Sequence, residues 1–319
     1  VFFLLLLKEN YEGYFRILLG LLTFVKMFNK IIIFNGRAII QCIISFILST
    51  TTFTMGQNEW VQLHDGPEFT ISGVAQFNNG YIVVHDNKRK DQPRVSFINK
   101  NNEIKQITWP KNKLPFDLEG VGRLPGFEDQ FIMMESSGIC YRVFIEPIHY
   151  SITIINVFKL PNIKNYMNLE GLSIFEVDAK YKIVYGDRGS MIRQSVLLIA
   201  RYDPSIDFVS DIESYTINLP EPKQHKRNIA DLTIDDRNIL WTSATSDPGD
   251  NGPFETMLYE IGEFNLAGDF TPYKIDKPLF SFPGQKVEAM VFEEPYIILM
   301  TDNENFGATL HNIDVSFLK

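Results

Sequence analysis

From Glu59 onward the chain alternates short apolar runs with breaks rich in Gly, Asn, Asp and Pro. Runs at 61–63, 72–77, 81–85 and 94–98 come first, then 121–124, 130–134, 139–144 and 152–158. A third set covers 172–175, 182–185, 195–202 and 214–217, and a fourth covers 232–234, 239–242, 256–261 and 271–275. The fifth has 290–292, 296–301 and 309–313. Val, Ile, Phe, Tyr and Thr dominate these runs, the residue types that suit a pleated, half-buried surface. No stretch repeats its apolar residues at the helical period, so the chain reads as all-β.

The sets share more than composition. Each contains an anchor of five residues: Thr70-Ile71-Ser72-Gly73-Val74, Asp117-Leu118-Glu119-Gly120-Val121, Asn168-Leu169-Glu170-Gly171-Leu172, Asn228-Ile229-Ala230-Asp231-Leu232 and Lys286-Val287-Glu288-Ala289-Met290. The position before the small-residue step reads Ser72, Glu119, Glu170, Ala230 and Glu288, at intervals of 47, 51, 60 and 58 residues. Intervals of that length hold four strands and their loops, the unit of a β-propeller blade. A sandwich accommodates short strands but leaves the repeated anchor unexplained. Only 31 residues follow Glu288, enough for three strands. The segment 59–63 is therefore expected to complete the last blade and close the ring. Five blades are expected, with six the alternative if the long third unit hides a degenerate one.

Residues 1–55 differ from the rest. Apolar runs at 1–7, 17–25 and 38–48 are separated by basic residues. Counted from Met27, Lys30 and Arg37 form a basic flank, 38–48 an apolar stretch and 49–56 a small, polar exit, the pattern of a secretory signal. The exit lacks an A-x-A site, so an uncleaved membrane anchor is the alternative. The reading is a leader over 1–55 and one propeller over 56–319, secreted or held in the periplasm or cell envelope.

Charge narrows the function classes. The net charge of −9 divides into +3 for residues 1–55 and −12 for the remainder. So acidic a body excludes a nucleic-acid surface and suits a cation ligand. Of the two cysteines only Cys140 lies outside the leader, so there is no disulfide framework. It falls in the strand-like run 138–144 and is read as a buried, inert thiol.

The repeated anchor carries the candidate chemistry. Residues that begin the innermost strands of a propeller face its axis, so Ser72, Glu119, Glu170 and Glu288 are expected to converge there. Carboxylates ~5 Å apart at an effective dielectric of ~20 repel by about 3 kcal/mol per pair. Either their pKa values rise or a cation neutralises them. An oxygen-only donor set suits calcium, with magnesium the alternative where waters complete an octahedron. A strand-capping role for each Glu is the competing reading. A second acidic position returns 14 to 17 residues later, at Asp86, Glu135, Asp187 and Asp302, with Asp247 displaced in the fourth unit. Turn formation accounts for any one of these; as a set with Arg188 they would rim a polar pocket. His85 reads as a hydrogen-bonded strand end rather than a catalytic base, and the basic runs 88–90 and 225–227 as solvated loops, with a phosphate contact the alternative for either. The acidic loop 247–252 does not have EF-hand spacing.

The series Ser-Gly-Val, Glu-Gly-Val, Glu-Gly-Leu, Ala-Asp-Leu, Glu-Ala-Met resembles the soluble calcium-activated nucleotidases, or apyrases. These are five-bladed propellers with calcium in the central tunnel, held by Ser, Glu, Glu, Ser and Glu. Ser72, Glu119, Glu170 and Glu288 match four of those places; Ala230 departs, leaving the fifth to water, a carbonyl or Asp231. The stretches 117–121 and 287–310 also resemble secreted bacterial propellers of the esterase-like and phytase-like kind. The resemblance implies a calcium-dependent hydrolase of a small, phosphorylated substrate, with Asp187 or Asp86 as base and Arg188 balancing phosphate charge. The alternatives are a non-catalytic binding propeller with a structural calcium, and an esterase or lactonase. No nucleic-acid partner is expected, and a membrane only if the leader is uncleaved.

Overall fold

The structure, a computed structural model, describes residues 59–110 and 114–318. The leader expected over 1–55 lies outside the described residues. After β1 (Val61–His64), the strands β2 (Gly73–Phe77), β3 (Gly80–Val84), β4 (Val95–Asn99) and β5 (Ile104–Ile107) form one antiparallel sheet in sequence order. So do β6 (Leu118–Arg123), β7 (Gln130–Glu135), β8 (Ile139–Ile145) and β9 (Ile152–Lys159). The third sheet has β10 (Leu169–Val177), β11 (Lys180–Asp187), β12 (Ser195–Asp203) and β13 (Phe208–Ile217). The fourth has β14 (Lys226–Ile234), β15 (Ile239–Ser246), β16 (Glu255–Phe264), β17 (Phe270–Pro272) and β18 (Phe280–Pro283). The fifth has β19 (Val287–Glu293), β20 (Tyr296–Thr301) and β21 (Ala308–Asp314).

These sheets are the blades of a five-bladed β-propeller. The first strands β2, β6, β10, β14 and β19 touch one another in that cyclic order, β19 returning to β2. They line the central channel. β1 adds to the outside of the fifth sheet, Val61 opposite Leu310 and Gln62 opposite Thr309, so the two ends of the ring are joined as the sequence led us to expect. Just before it, Trp60 stacks on His311 with ring centres 4.9 Å apart and meets Phe282 edge-on.

The apolar runs are continuous rather than alternating because both faces of each blade are covered. In β7, Phe131 and Met133 pack toward the first blade while Ile132 and Met134 pack toward the third. In β3, Ile82 and Val84 face the second blade and Val83 the fifth. Five apolar cores result, one at each seam between neighbouring blades. Cys140 lies in the second of them, fully buried, and burial drives its thiol pKa up, in keeping with an inert role.

One strand departs from expectation. A single outer strand at 271–275 was expected in the fourth blade, but β17 and β18 share the job, pairing with opposite ends of the ten-residue β16. Pro278 lies in the break between them and supplies no backbone N–H.

Candidate functional site

Inner strands begin at one end of the channel, here called the upper mouth, and the repeated anchor forms a β-bulge there. In β6, Leu118 pairs with Glu135 and Gly120 with Met134, which leaves Glu119 as the extra residue. In β19, Val287 pairs with Thr301 and Ala289 with Met300, leaving Glu288 extra. β10 slips between Glu170 and Leu172, and β14 between Arg227 and Asp231. In the first blade Ser72 donates its N–H to the Val84 carbonyl, opposite which Gly73 is already paired. An extra residue re-aims a side chain out of the ordinary pleat. The repeat thus encodes a bulge, and the acidic residue is what the bulge presents.

The small residue of the anchor answers to the neighbouring blade. A Cβ on Gly120 would stand 2.9 Å from Leu172 Cβ, and one on Gly171 2.9 Å from the Asp231 backbone. Gly171 also has φ +79°, left-handed backbone that disfavours a side chain. Adjacent inner strands therefore approach closely at the level where the Glu side chains meet.

Charges at this mouth are unevenly matched. Arg227 Nη1 donates to Glu170 Oε1 at 3.3 Å and to Glu288 Oε1 at 3.2 Å, while its Nη2 pairs with Asp247. Lys286, only 2% exposed, stands 2.6 Å from Glu304, 3.3 Å from Glu288 and 3.6 Å from Asp302. Arg188 Nη1 donates to Glu170 Oε1 at 2.8 Å, and the Asn168 amide oxygen, turned toward that guanidinium, accepts from its Nε at 3.1 Å. All three cations come from the third, fourth and fifth blades. The other half of the ring has none of them. Ser72 Oγ and Glu170 Oε2 are buried without a hydrogen-bond partner. Glu119 is 8% exposed, and burial together with Glu170, Asp117, Asp86 and Glu288 pushes its pKa well above the usual carboxylate range. Among the described residues, Asp86, Glu119, Glu170, Asp247, Glu288, Asp302 and Glu304 lie around Arg188, Arg227 and Lys286, and Lys88, paired with Asp117 at 2.7 Å, adds a fourth positive charge near Asp86.

The second acidic position turns out to hold the mouth together. Glu135 Oε1 accepts from Phe116 N–H at 2.9 Å and from the Tyr141 hydroxyl at 2.7 Å. Asp187 Oδ1 accepts from Asn168 N–H at 3.0 Å. In the fifth blade Asn303 Oδ1 takes the Lys286 N–H at 2.8 Å. Each fixes the backbone two or three residues ahead of the bulge. The first blade uses a histidine instead. His85 is fully buried, donates from Nδ1 to the Thr70 carbonyl at 2.6 Å and accepts at Nε2 from the Ser96 hydroxyl at 2.8 Å. Burial outweighs the Thr70 bond and lowers its pKa to about 4, so the ring is neutral. Asp86 is thereby released from the clamp. Burial and nearby Asp302, offset by Lys286 and Lys88, put its pKa at about 7.

Two expected site residues are engaged by neighbouring groups. Asp187 is fully buried and both its oxygens are engaged, by Arg193 and Asn168. Asp231 does not stand in for the missing fourth-blade ligand. Its Oδ1 accepts from its neighbour Leu232 N–H at 2.7 Å and its Oδ2 from Met290 N–H, which ties the fourth blade to the fifth. Arg227 and Lys286 were missed as site residues. Arg227 lies just before its anchor while Lys286 is the first residue of its own, so no shared position marked them. Among the described residues, no three His, Cys, Asp or Glu side chains gather closely enough to hold a metal ion. Glu288 is turned to Arg227 and Lys286 instead.

At the other end, the channel opens into a cavity of about 280 Å³ lined by later residues of the inner strands, among them Gln76, Arg123, Glu176 and Phe292.

No family model matches this chain, and no curated protein matches it. Among solved structures, an arabinanase from Bacillus subtilis aligns with TM-score 0.47 and 9% identity, covering 81% of this chain and 98% of that one. An exo-1,5-α-L-arabinanase from a bovine ruminal metagenomic library aligns with TM-score 0.47 and 8% identity over 81% of this chain and 95% of that one. A glycoside hydrolase aligns with TM-score 0.44 and 9% identity, covering 79% of this chain and 62% of that one. These are neither nucleotidases nor phytases, and likenesses this low transfer no residue role to this chain.

Proposed function

We propose that the upper mouth of the channel is the site of a cation-dependent hydrolase acting on a small, anionic substrate, a phosphate compound in the first instance. The observation that supports this best is a pair of buried oxygens without partners. Among the described residues Ser72 Oγ and Glu170 Oε2 are buried without partners, beside a Glu119 whose pKa burial and the surrounding carboxylates raise. Buried polar atoms are seldom left so. These donors are oxygens only, which suits calcium, and two carboxylates with one hydroxyl leave room for the waters that calcium or magnesium keeps.

When bound, a calcium ion supplies Lewis acidity to a phosphoryl oxygen. Arg188, whose side chain is 30% exposed, meets the substrate's anionic charge while Asn168 and Glu170 fix its plane. Asp86, with its pKa near neutrality and no clamp to hold, accepts the proton of the attacking water. Asp187 and His85 keep the backbone ahead of the bulges in place. Secretion fits the leader pattern and an ion plentiful outside cells.

The experiment is phosphate release from nucleoside triphosphates, diphosphates and phosphate monoesters by chelator-treated protein, with calcium, magnesium or neither. Release that requires calcium and fails in Glu119→Gln supports the reading. Calcium binding without release from any phosphate, ester or lactone would leave a binding propeller instead.

A second reading has one observation in its favour. Glu119, its pKa raised by burial and by the carboxylates around it, beside Glu170 in contact with two guanidinium groups, resembles the acid and base pair that cleaves glycosidic bonds without a metal. Its mark would be sugar release unaffected by chelator.

A further inference from the structure

Carboxylates brought together at the axis of a ring need a positive partner, or the blades that carry them are pushed apart. On the third, fourth and fifth blades that partner comes from the chain. One nitrogen of Arg227 lies between Oε1 of Glu170 and Oε1 of Glu288, and another pairs with Asp247. Glu170 is 2% exposed and Glu288 4% exposed, so neither carboxylate has water enough to serve as its counter-charge. Burial opposes a charged guanidinium here, yet Glu170, Glu288 and Asp247 hold its pKa above the ordinary value. Arg227 lies in the bulge segment of β14, in the very blade whose anchor has Ala230 in place of an acidic or hydroxyl residue. The fourth blade thus contributes a cation to the ring where the other four contribute an oxygen ligand.

We infer that Glu170, Glu288 and Asp247 form a cation site whose resident is the Arg227 guanidinium, which joins the third, fourth and fifth blades as a bound metal ion would. Two consequences follow. Closure of the ring does not require a metal. An ion bound on the Ser72 and Glu119 side is then exchangeable, free to serve substrate rather than the fold. The inference does not rest on any reaction at the mouth.

The site, if vacated, should accept a small cation of the same shape. Arg227→Ala, Arg227→Ala with Glu288→Gln, and wild-type protein are melted in chelator, with and without millimolar methylguanidinium. Arg227→Ala should melt lower than wild type by on the order of 5–10 °C, because removing one partner strands buried carboxylates. Methylguanidinium should restore at least half of that loss and leave wild type unchanged. Replacing Glu288 as well should recover stability relative to the single variant, since the coupled charge is gone. A single variant that melts within about 1 °C of wild type overturns the inference. So does a methylguanidinium effect equal in both proteins, or a double variant no better than the single one. If Arg227→Ala does not fold, a folded double variant supports the inference and an unfolded one overturns it. All of these are read without calcium or substrate, so a failed hydrolase reading would leave them intact.

Discussion

His85 donates from Nδ1 to the carbonyl of Thr70 across 2.6 Å, and that bond sets the first blade apart from the second and third. There the residue ending the second strand is a carboxylate spent on a backbone N–H, as in Glu135 with Phe116 and Asp187 with Asn168. With the histidine in that role, Asp86 one residue later has no backbone to hold. The same acidic residue type, repeated in sequence, thus divides into clamps and one titratable group near neutrality.

Asp86 should therefore govern the pH dependence of both activity and stability. Turnover is expected to rise with pH to a plateau above about 7, and Asp86→Asn should remove that limb and lower kcat by about 10²-fold or more. For stability the sign is opposite. Its folded pKa of about 7 lies above the ordinary 3.8, so protonation favours the fold. That contribution is complete below the ordinary value and lost as pH rises through 7. Asp86→Asn should melt above wild type in mildly alkaline buffer, and the gap should close as the buffer is made acid. Thermal melts across that range check it.

Glu119→Gln is expected to stabilise the metal-free protein while removing cation binding. The carboxyl is buried, faces Glu170, Asp117, Asp86 and Glu288, and accepts no hydrogen bond from the described residues. A neutral amide relieves that repulsion by roughly 1–2 kcal/mol, the usual trade between a binding site and its fold. Urea denaturation in chelator measures the gain.

Gly171→Ala should be among the most damaging small substitutions in the ring. Its φ of +79° and the Asp231 backbone at 2.9 Å act together. Strain and overpacking should cost about 2–4 kcal/mol. Gly120→Ala, whose tightest contact is the Leu172 Cβ at 2.9 Å and which has no positive φ, should cost less. Chemical denaturation of the two variants tests the ranking.

Trp60→Ala should loosen ring closure. The indole joins β1 to the fifth blade through His311 and Phe282, and its loss should cost about 2 kcal/mol. Hydrogen exchange should show the added opening in β1 and β21 rather than in the opposite blades.

How much of this was legible in the sequence depends on range. The anchor, the four-strand spacing and closure by the segment at 59–63 are local or periodic, and each is found in the ring. The bulge was hidden because a register slip exists only between two paired strands. Local signals could not reveal that a histidine at 85 and an aspartate at 187 do the same work, since their partners lie 15 and 19 residues away. Arg227 was read as part of a solvated basic run. Its partners Glu170 and Glu288 lie 57 and 61 residues distant, and only ring closure brings them to one nitrogen. Asp231 misled by proximity, being next to the missing ligand position while its carboxylate bonds to backbone.

The most direct test of the site is a calorimetric titration of calcium into chelator-treated protein, wild type beside Glu119→Gln. The account predicts saturable binding at a single site in wild type, with affinity at least about tenfold weaker in the variant and weaker in both as pH falls below neutrality. No binding heat in wild type, or equal affinity in the two proteins, would contradict it and return Glu119 and Ser72 to the fabric of the ring.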